Sequence, residues 1–202
     1  MPTGVALRDA RQQLFDAAER VLLRDGLGGL TSRAVTTEAG CAKGVLHRHF
    51  SDFDAFLTDL VLDRSARVDC QGEALHDAIG TGTVAGNVAR ALQELFGPLA
   101  QVILGLFISR DGLRVRLRQA GATGVPMLTE AAAMIASYLS GERELGRVTP
   151  GADVDALAPA LVGATHLLLA GGKSTPGDAL AVHRVVSTVI AGVLRDVPPS
   201  TG

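Results

Sequence analysis

Leu14, Phe15, Ala18, Val21 and Leu22 recur at helical spacing, with Arg11, Asp16, Glu19 and Arg20 between them. The pattern predicts an amphipathic helix with one buried stripe, closed by Gly26. Thr31 then offers a capping oxygen, and Leu30 before it can staple onto Val35, which starts a short helix over 32–39. Gly40 stops that helix, and only Cys41 and Ala42 precede the next run, KGVLHRHF. Two short helices must therefore cross sharply through a tight turn whose glycine tolerates a left-handed backbone, which is helix-turn-helix geometry. Ser51 with Asp54 three residues on has the form of a capping box and opens a long helix through Phe53, Phe56, Leu57, Leu60, Val61 and Arg64.

Past a break at 80–86 the pattern predicts helices over 88–96 and, from Pro98, over 99–108, the latter almost wholly apolar and so buried on most sides. A basic piece, LRVRLRQ, follows Asp111-Gly112. Further helices are expected from Pro126 to about 139, over 153–170 with Pro159 implying a kink or later start, and over 175–197 with Thr175 as cap. No alternating strand pattern of useful length appears, so the fold class is all-α.

Composition narrows the picture. Hydrophobic residues make up 47% of the 202 and aromatics only 3%, so the core is built from small aliphatic side chains that suit closely packed helices. The net charge of −2 argues against a chain that coats nucleic acid by bulk charge. Locally the balance differs: between Thr31 and Phe50, Arg33, Lys43 and Arg48 face only Glu38, with His47 and His49 able to add charge. A small DNA-reading face is thus permitted. Cys41 and Cys70 suggest neither a disulfide framework nor a zinc site. No signal-peptide core and no uninterrupted apolar run of membrane length is present, so a reducing cytoplasm is the expected setting, with no membrane partner.

Residues 14–60, LFDAAERVLLRDGLGGLTSRAVTTEAGCAKGVLHRHFSDFDAFL within them, closely resemble the tetracycline-repressor (TetR) family in the amphipathic first helix, the Thr31 cap, the Ala39-Gly40 turn, Lys43-Gly44, Leu46 and His49-Phe50. The resemblance implies an N-terminal three-helix DNA-binding domain over 1–52 and a helical effector-binding and dimerisation domain over 53–202. It implies a recognition helix over 43–49 lying in the major groove. The DNA-facing residues are then Thr31, Arg33, Ala42, Lys43, Gly44, Val45, His47, Arg48 and His49, with Leu46 and Phe50 packed inward. Lys43 can neutralise a phosphate, Gly44 permits close backbone approach, and Arg48 reaches a phosphate or a guanine edge. Ala42, Val45 and His47 stand where the family commonly has hydroxyl-bearing residues, so the phosphate grip differs from the family habit.

By the same resemblance the partners are double-stranded, palindromic operator DNA, a small apolar effector and a second copy of the chain, and no cofactor is implied. Phe96, Ile103, Leu106, Phe107, Met127, Met134 and His166 are core by default and candidates for an effector cavity, while Leu161, Thr165, Leu168, Val182, Val186 and Ile190 repeat at helical spacing and are expected at a dimer interface. A regulator without a ligand, governed by abundance or a protein partner, is the alternative. An enzyme on a helical bundle has no catalytic constellation in the sequence to carry it. GGKST at 171–175 lacks the earlier glycine of a phosphate loop and reads as a turn.

Overall fold

The computed structural model describes residues 4–170 and 176–195. The GGKST turn and the Thr175 cap lie outside them. Among the described residues the chain forms ten α-helices and no strand, with one isolated antiparallel bridge between Val148 and Leu194. It divides into two compact units, one of Met1–Asp63 with Pro98–Ala122, the other of Arg64–Gly97 with Thr123–Gly202. Two helices from the middle of the chain fall in the first unit with the N-terminal ones.

In the first unit, α1 (Gly4–Gly29) is interrupted at Gly26, whose φ of 67° and ψ of −166° break the helical path where the sequence reading ends the helix. Leu14, Ala17, Ala18, Val21 and Leu22 are buried along one side of α1. They meet α2 (Ser32–Glu38), α3 (Lys43–His49) and the start of α4 (Phe53–His76), which supply Val35, Leu46, Phe50, Phe56, Leu57 and Leu60. Phe50 packs edge-on against Phe56 at 5.1 Å and lies 6.0 Å from Phe15, with the Arg11 guanidinium 4.7 Å from its ring centroid. These contacts fix the end of α3. α6 (Pro98–Ser109) lies on α1, where Gly105 lets Leu27 approach: a Cβ at this glycine would stand 3.3 Å from Leu27 Cδ1. α7 (Asp111–Gln119) follows α6 and buries Leu113 and Leu117.

The second unit is built from the remainder of α4 with α5 (Val84–Leu95), α8 (Leu128–Glu144), α9 (Val154–Leu169) and α10 (Pro176–Ile190). α8 packs on α9, and α5 packs on α8 and α10. α9 runs through Pro159 in one helix, and α8 begins two residues after Pro126, behind Met127 with its φ of 68°. A polar network is buried among the apolar side chains. Glu142 is fully buried, pairs with Arg147 at 3.2 Å and accepts the amide of Gly80, while Arg147 donates to the Gly82 carbonyl. Asn87 donates to the Tyr138 hydroxyl at 3.0 Å. Burial and the neighbouring Glu142 carboxylate push the Tyr138 phenol above its ordinary range. The network ties the turn at 80–82 to the end of α8.

Candidate nucleic-acid interface

Local chemistry builds the α2–α3 pair one end at a time. The Thr31 oxygen accepts the amide of Ala34 at 3.1 Å, so α2 is capped and the hydroxyl proton remains available outward. At the other end the amide of Cys41 bonds the Thr36 carbonyl and that of Gly40 bonds the Thr37 carbonyl, with Gly40 at φ 65°. This paired arrangement around a left-handed glycine is a Schellman closure. It turns the chain at once into α3, whose Leu46 is fully buried while Lys43, Gly44, His47 and Arg48 are exposed. A seven-residue helix is roughly 10 Å long, short enough to lie within a major groove about 12 Å wide.

The sequence-predicted residues come together on this surface. Thr31, Arg33, Ala42, Lys43, Gly44, His47 and Arg48 are exposed, and Val45 and His49 are half-buried. Leu46 and Phe50 point inward, as their apolar spacing requires. Thr37, exposed one turn after Arg33, shares that face of α2 by its i+4 spacing and is absent from the sequence-predicted set. Glu38, the single acid in this segment, is held at 2.7 Å by both Arg20 and Arg24 of α1. Those two guanidiniums, Arg24 foremost, keep its carboxyl below the usual range. Among the described residues Arg33, Lys43 and Arg48 have no ion-pair partner. The only negative charge is therefore neutralised from behind, and the outward cations are unopposed.

The junction after α3 departs from the sequence reading. The helix begins at Phe53, and Asp52 rather than Ser51 caps it, its Oδ1 accepting the amide of Ala55 at 2.8 Å and its Oδ2 accepting Arg116 Nη2 at 2.9 Å. The Ala55 amide, then the Arg116 guanidinium, hold the Asp52 carboxyl below its ordinary range. Arg116 lies 64 residues away, and no short-range pattern announces it.

The other two candidate sets lie elsewhere in the structure. Phe96, Met127, Met134 and His166 fall in the second unit, where the Phe96 and His166 rings are 5.6 Å apart. Ile103, Leu106 and Phe107 fall in the first unit, so the set does not share one unit. An open cleft in the second unit, about 540 Å³, is lined instead by Asp69, Gly72, Glu73, His76, Asp77 and Ser137. Its carboxylates do not suit an apolar molecule. Of the interface candidates, Leu161, Thr165, Val182, Val186 and Ile190 are fully buried in the protomer's own core, and only Leu168 is exposed. α9 and α10 bury that stripe within the second unit. Their outward face instead carries Pro159, Ala160, Gly163, Leu167 and, on α10, Leu180, with Leu167 and Leu180 80% and 78% exposed.

Residues 14–60 match the family model described as bacterial regulatory proteins, tetR family. Over this segment the chain is similar to the TetR family's N-terminal domain. The TetR likeness of the fold extends well past that segment. A putative TetR-family transcriptional regulator from Mesorhizobium loti superposes with a TM-score of 0.70 at 17% identity, over 93% of this chain and 98% of that one. SmeT, the repressor of the Stenotrophomonas maltophilia multidrug efflux pump SmeDEF, gives 0.64 at 18% identity over 95% and 94%. The multidrug binding protein EbrR, complexed with imidazole, gives 0.60 at 23% identity over 95% and 98%. No curated protein matches the chain. At these identities the TetR neighbours establish the fold: a helix-turn-helix unit followed by a helical C-terminal portion. Among the described residues no group of three His, Cys, Asp or Glu is placed to hold a metal, and no single helix is long and apolar enough to cross a membrane.

Proposed function

We propose that the chain is a dimeric transcriptional regulator that binds double-stranded operator DNA through α2 and α3 and is released from it by a small apolar or weakly polar ligand. The observation that carries this reading is the unopposed basic face of α3 set over buried Leu46, with Glu38 neutralised by Arg20 and Arg24. Lys43 meets phosphate, Arg48 meets phosphate or a guanine edge, and Thr31, Arg33 and Thr37 grip the backbone from α2.

A second copy docks on the outward face of α9 and α10, through Leu167, Leu168, Leu180 and the open space at Gly163. Exposed leucines at this density stand against solvent only at a cost, and pairing two helices per protomer covers them in a four-helix interface. Two-fold pairing presents two α3 helices to half-sites about one helical turn apart, so the operator is palindromic. Ligand release needs only modest coupling: a roughly 100-fold difference in affinity between states is about 3 kcal/mol.

Enrichment of duplexes from a random pool by the purified protein tests the reading. A two-fold symmetric consensus is expected, with complexes dissociated by some compound from a broad library that also raises the unfolding midpoint. Failure to enrich any sequence contradicts the DNA assignment. Enrichment without any releasing compound contradicts the ligand and leaves a regulator governed by abundance or a protein partner.

A further inference from the structure

The first unit contains one basic helix that the helix-turn-helix does not use. From α7 and its cap, two guanidiniums reach the start of α4: Arg116 Nη2 donates to Asp52 Oδ2 at 2.9 Å, and Arg110 Nη1 lies 3.6 Å from Asp54 Oδ1. Both acceptors follow closely on Phe50, the residue that ends α3. The Asp52 carboxylate is bridging, since its other oxygen holds the Ala55 amide. α7 also approaches closely here, because a Cβ on Gly112 would stand 3.9 Å from Asp54 Oδ2. At its near end α7 is stapled to α6, where Arg114 donates to the carbonyls of Phe107 and Ile108. α6 in turn packs on α1 around Gly105 and Leu27.

A continuous set of contacts therefore runs from α6 through α7 to the α3–α4 junction, independent of the backbone path along α4. Each ion pair is about half exposed and contributes little to stability by itself. Both act on one turn, however, so their effect is on the orientation of that turn relative to α7.

We propose that Arg116 and Arg110 are positioning residues for DNA binding, a latch by which α7 sets the α3–α4 junction and so the orientation of α3. The proposal rests on the regulator reading above for its function, though not for its geometry. Asp52→Asn is the informative partner variant, because an asparagine still caps α4 through its amide oxygen while losing the carboxylate that Arg116 grips.

The test uses full-length wild type, Arg116→Gln, Asp52→Asn and the double variant, titrated on a duplex enriched by the wild type at several salt concentrations. Arg116→Gln and Asp52→Asn should each lower affinity about two- to fivefold, with the double variant no worse than either and the salt slope unchanged. If Arg116 instead contacts phosphate, Arg116→Gln lowers the slope by about one and Asp52→Asn, by removing a negative charge, strengthens binding; that result overturns the latch. Additive losses overturn it too. Amide hydrogen exchange supplies a readout that needs no DNA: Arg116→Gln should speed exchange over 46–55 and leave 14–22 unchanged. Unchanged exchange over 46–55 overturns the latch whatever the titrations give. If the wild type enriches no duplex, the regulator reading fails, and faster exchange still supports the positioning role.

Discussion

At the scale of single residues, two carboxylates near α2 and α3 tie helices together: Asp52 through Arg116 and Glu38 through Arg20 and Arg24. Asp52 and Glu38 both have folded-state pKa values below their unfolded ones, through the Ala55 amide and Arg116 for the first and through Arg24 and Arg20 for the second. A depressed carboxylate contributes stability that is fully present above its unfolded value, about pH 4, and lost as pH falls through the folded value. Asp52→Asn should therefore show a shallower loss of stability on acidification than wild type, with the two curves converging at the acid end. Urea titrations from pH 6 down to pH 3 measure this, and parallel curves contradict it. Glu142 sets a different case, because it is buried without solvent access beside Arg147. Glu142→Ala strands a guanidinium that is only 18% exposed, and should cost about 3 kcal/mol in urea unfolding at neutral pH. A change below about 1 kcal/mol contradicts the role given to the network.

Among elements, the turn between α2 and α3 carries the most local information. Gly40 has φ 65° with nothing within 4 Å of a built Cβ, so space is ample and backbone strain alone decides a substitution there. Gly40→Ala should destabilise the protein by about 1 kcal/mol, after the entropy lost by the unfolded chain offsets part of the strain. Chemical denaturation measures it, and a neutral or stabilising outcome contradicts the Schellman closure. This turn was legible in the sequence because its chemistry is local: a cap, a staple and a glycine within ten residues. The exposed face of α3 was legible for the same reason, with Leu46 and Phe50 inward and Lys43, His47 and Arg48 outward. Elements joined by distant contacts were not. The tie from Arg116 to Asp52 spans 64 residues, and the apolar periodicity of α6 shows that it is buried without showing that α1 is its partner. Ser51 is expected to cap α4 because Asp54 three residues on completes the form of a capping box; serine and aspartate cap equally well, and which of two adjacent residues does so depends on the chain exit from α3 and on a partner at the second Asp52 oxygen.

For the whole molecule, the apolar stripe of α9 and α10 shows what periodicity can and cannot decide. Leu161, Thr165, Val182, Val186 and Ile190 recur at helical spacing because α9 and α10 bury them in their own bundle. A stripe identifies a buried face and is silent about what buries it. The outward residues are less regular, yet Leu167, Leu168 and Leu180 are left in solvent. Leu167→Glu with Leu180→Glu should convert a dimer to a monomer in sedimentation at micromolar concentration while leaving the unfolding free energy of the protomer nearly unchanged, since exposed substitutions cost little. Val186→Ala should do the reverse, weakening the fold by a kcal/mol or more and leaving the assembly dimeric. A wild type that sediments only as monomer contradicts the proposed pairing.

The central claim is that α3 is the surface that meets DNA. It is tested most directly by titrating wild type, Lys43→Ala and Arg48→Ala on the enriched duplex and on a random duplex across a range of salt. Lys43→Ala should weaken binding to both duplexes alike and lower the salt slope by about one, the mark of a lost phosphate contact. Arg48→Ala should weaken binding to the enriched duplex by about 1–3 kcal/mol, either with relaxed preference at one base pair or with the same drop in slope. Affinities and slopes identical to wild type for both variants contradict the assignment of α3 as the DNA-reading helix.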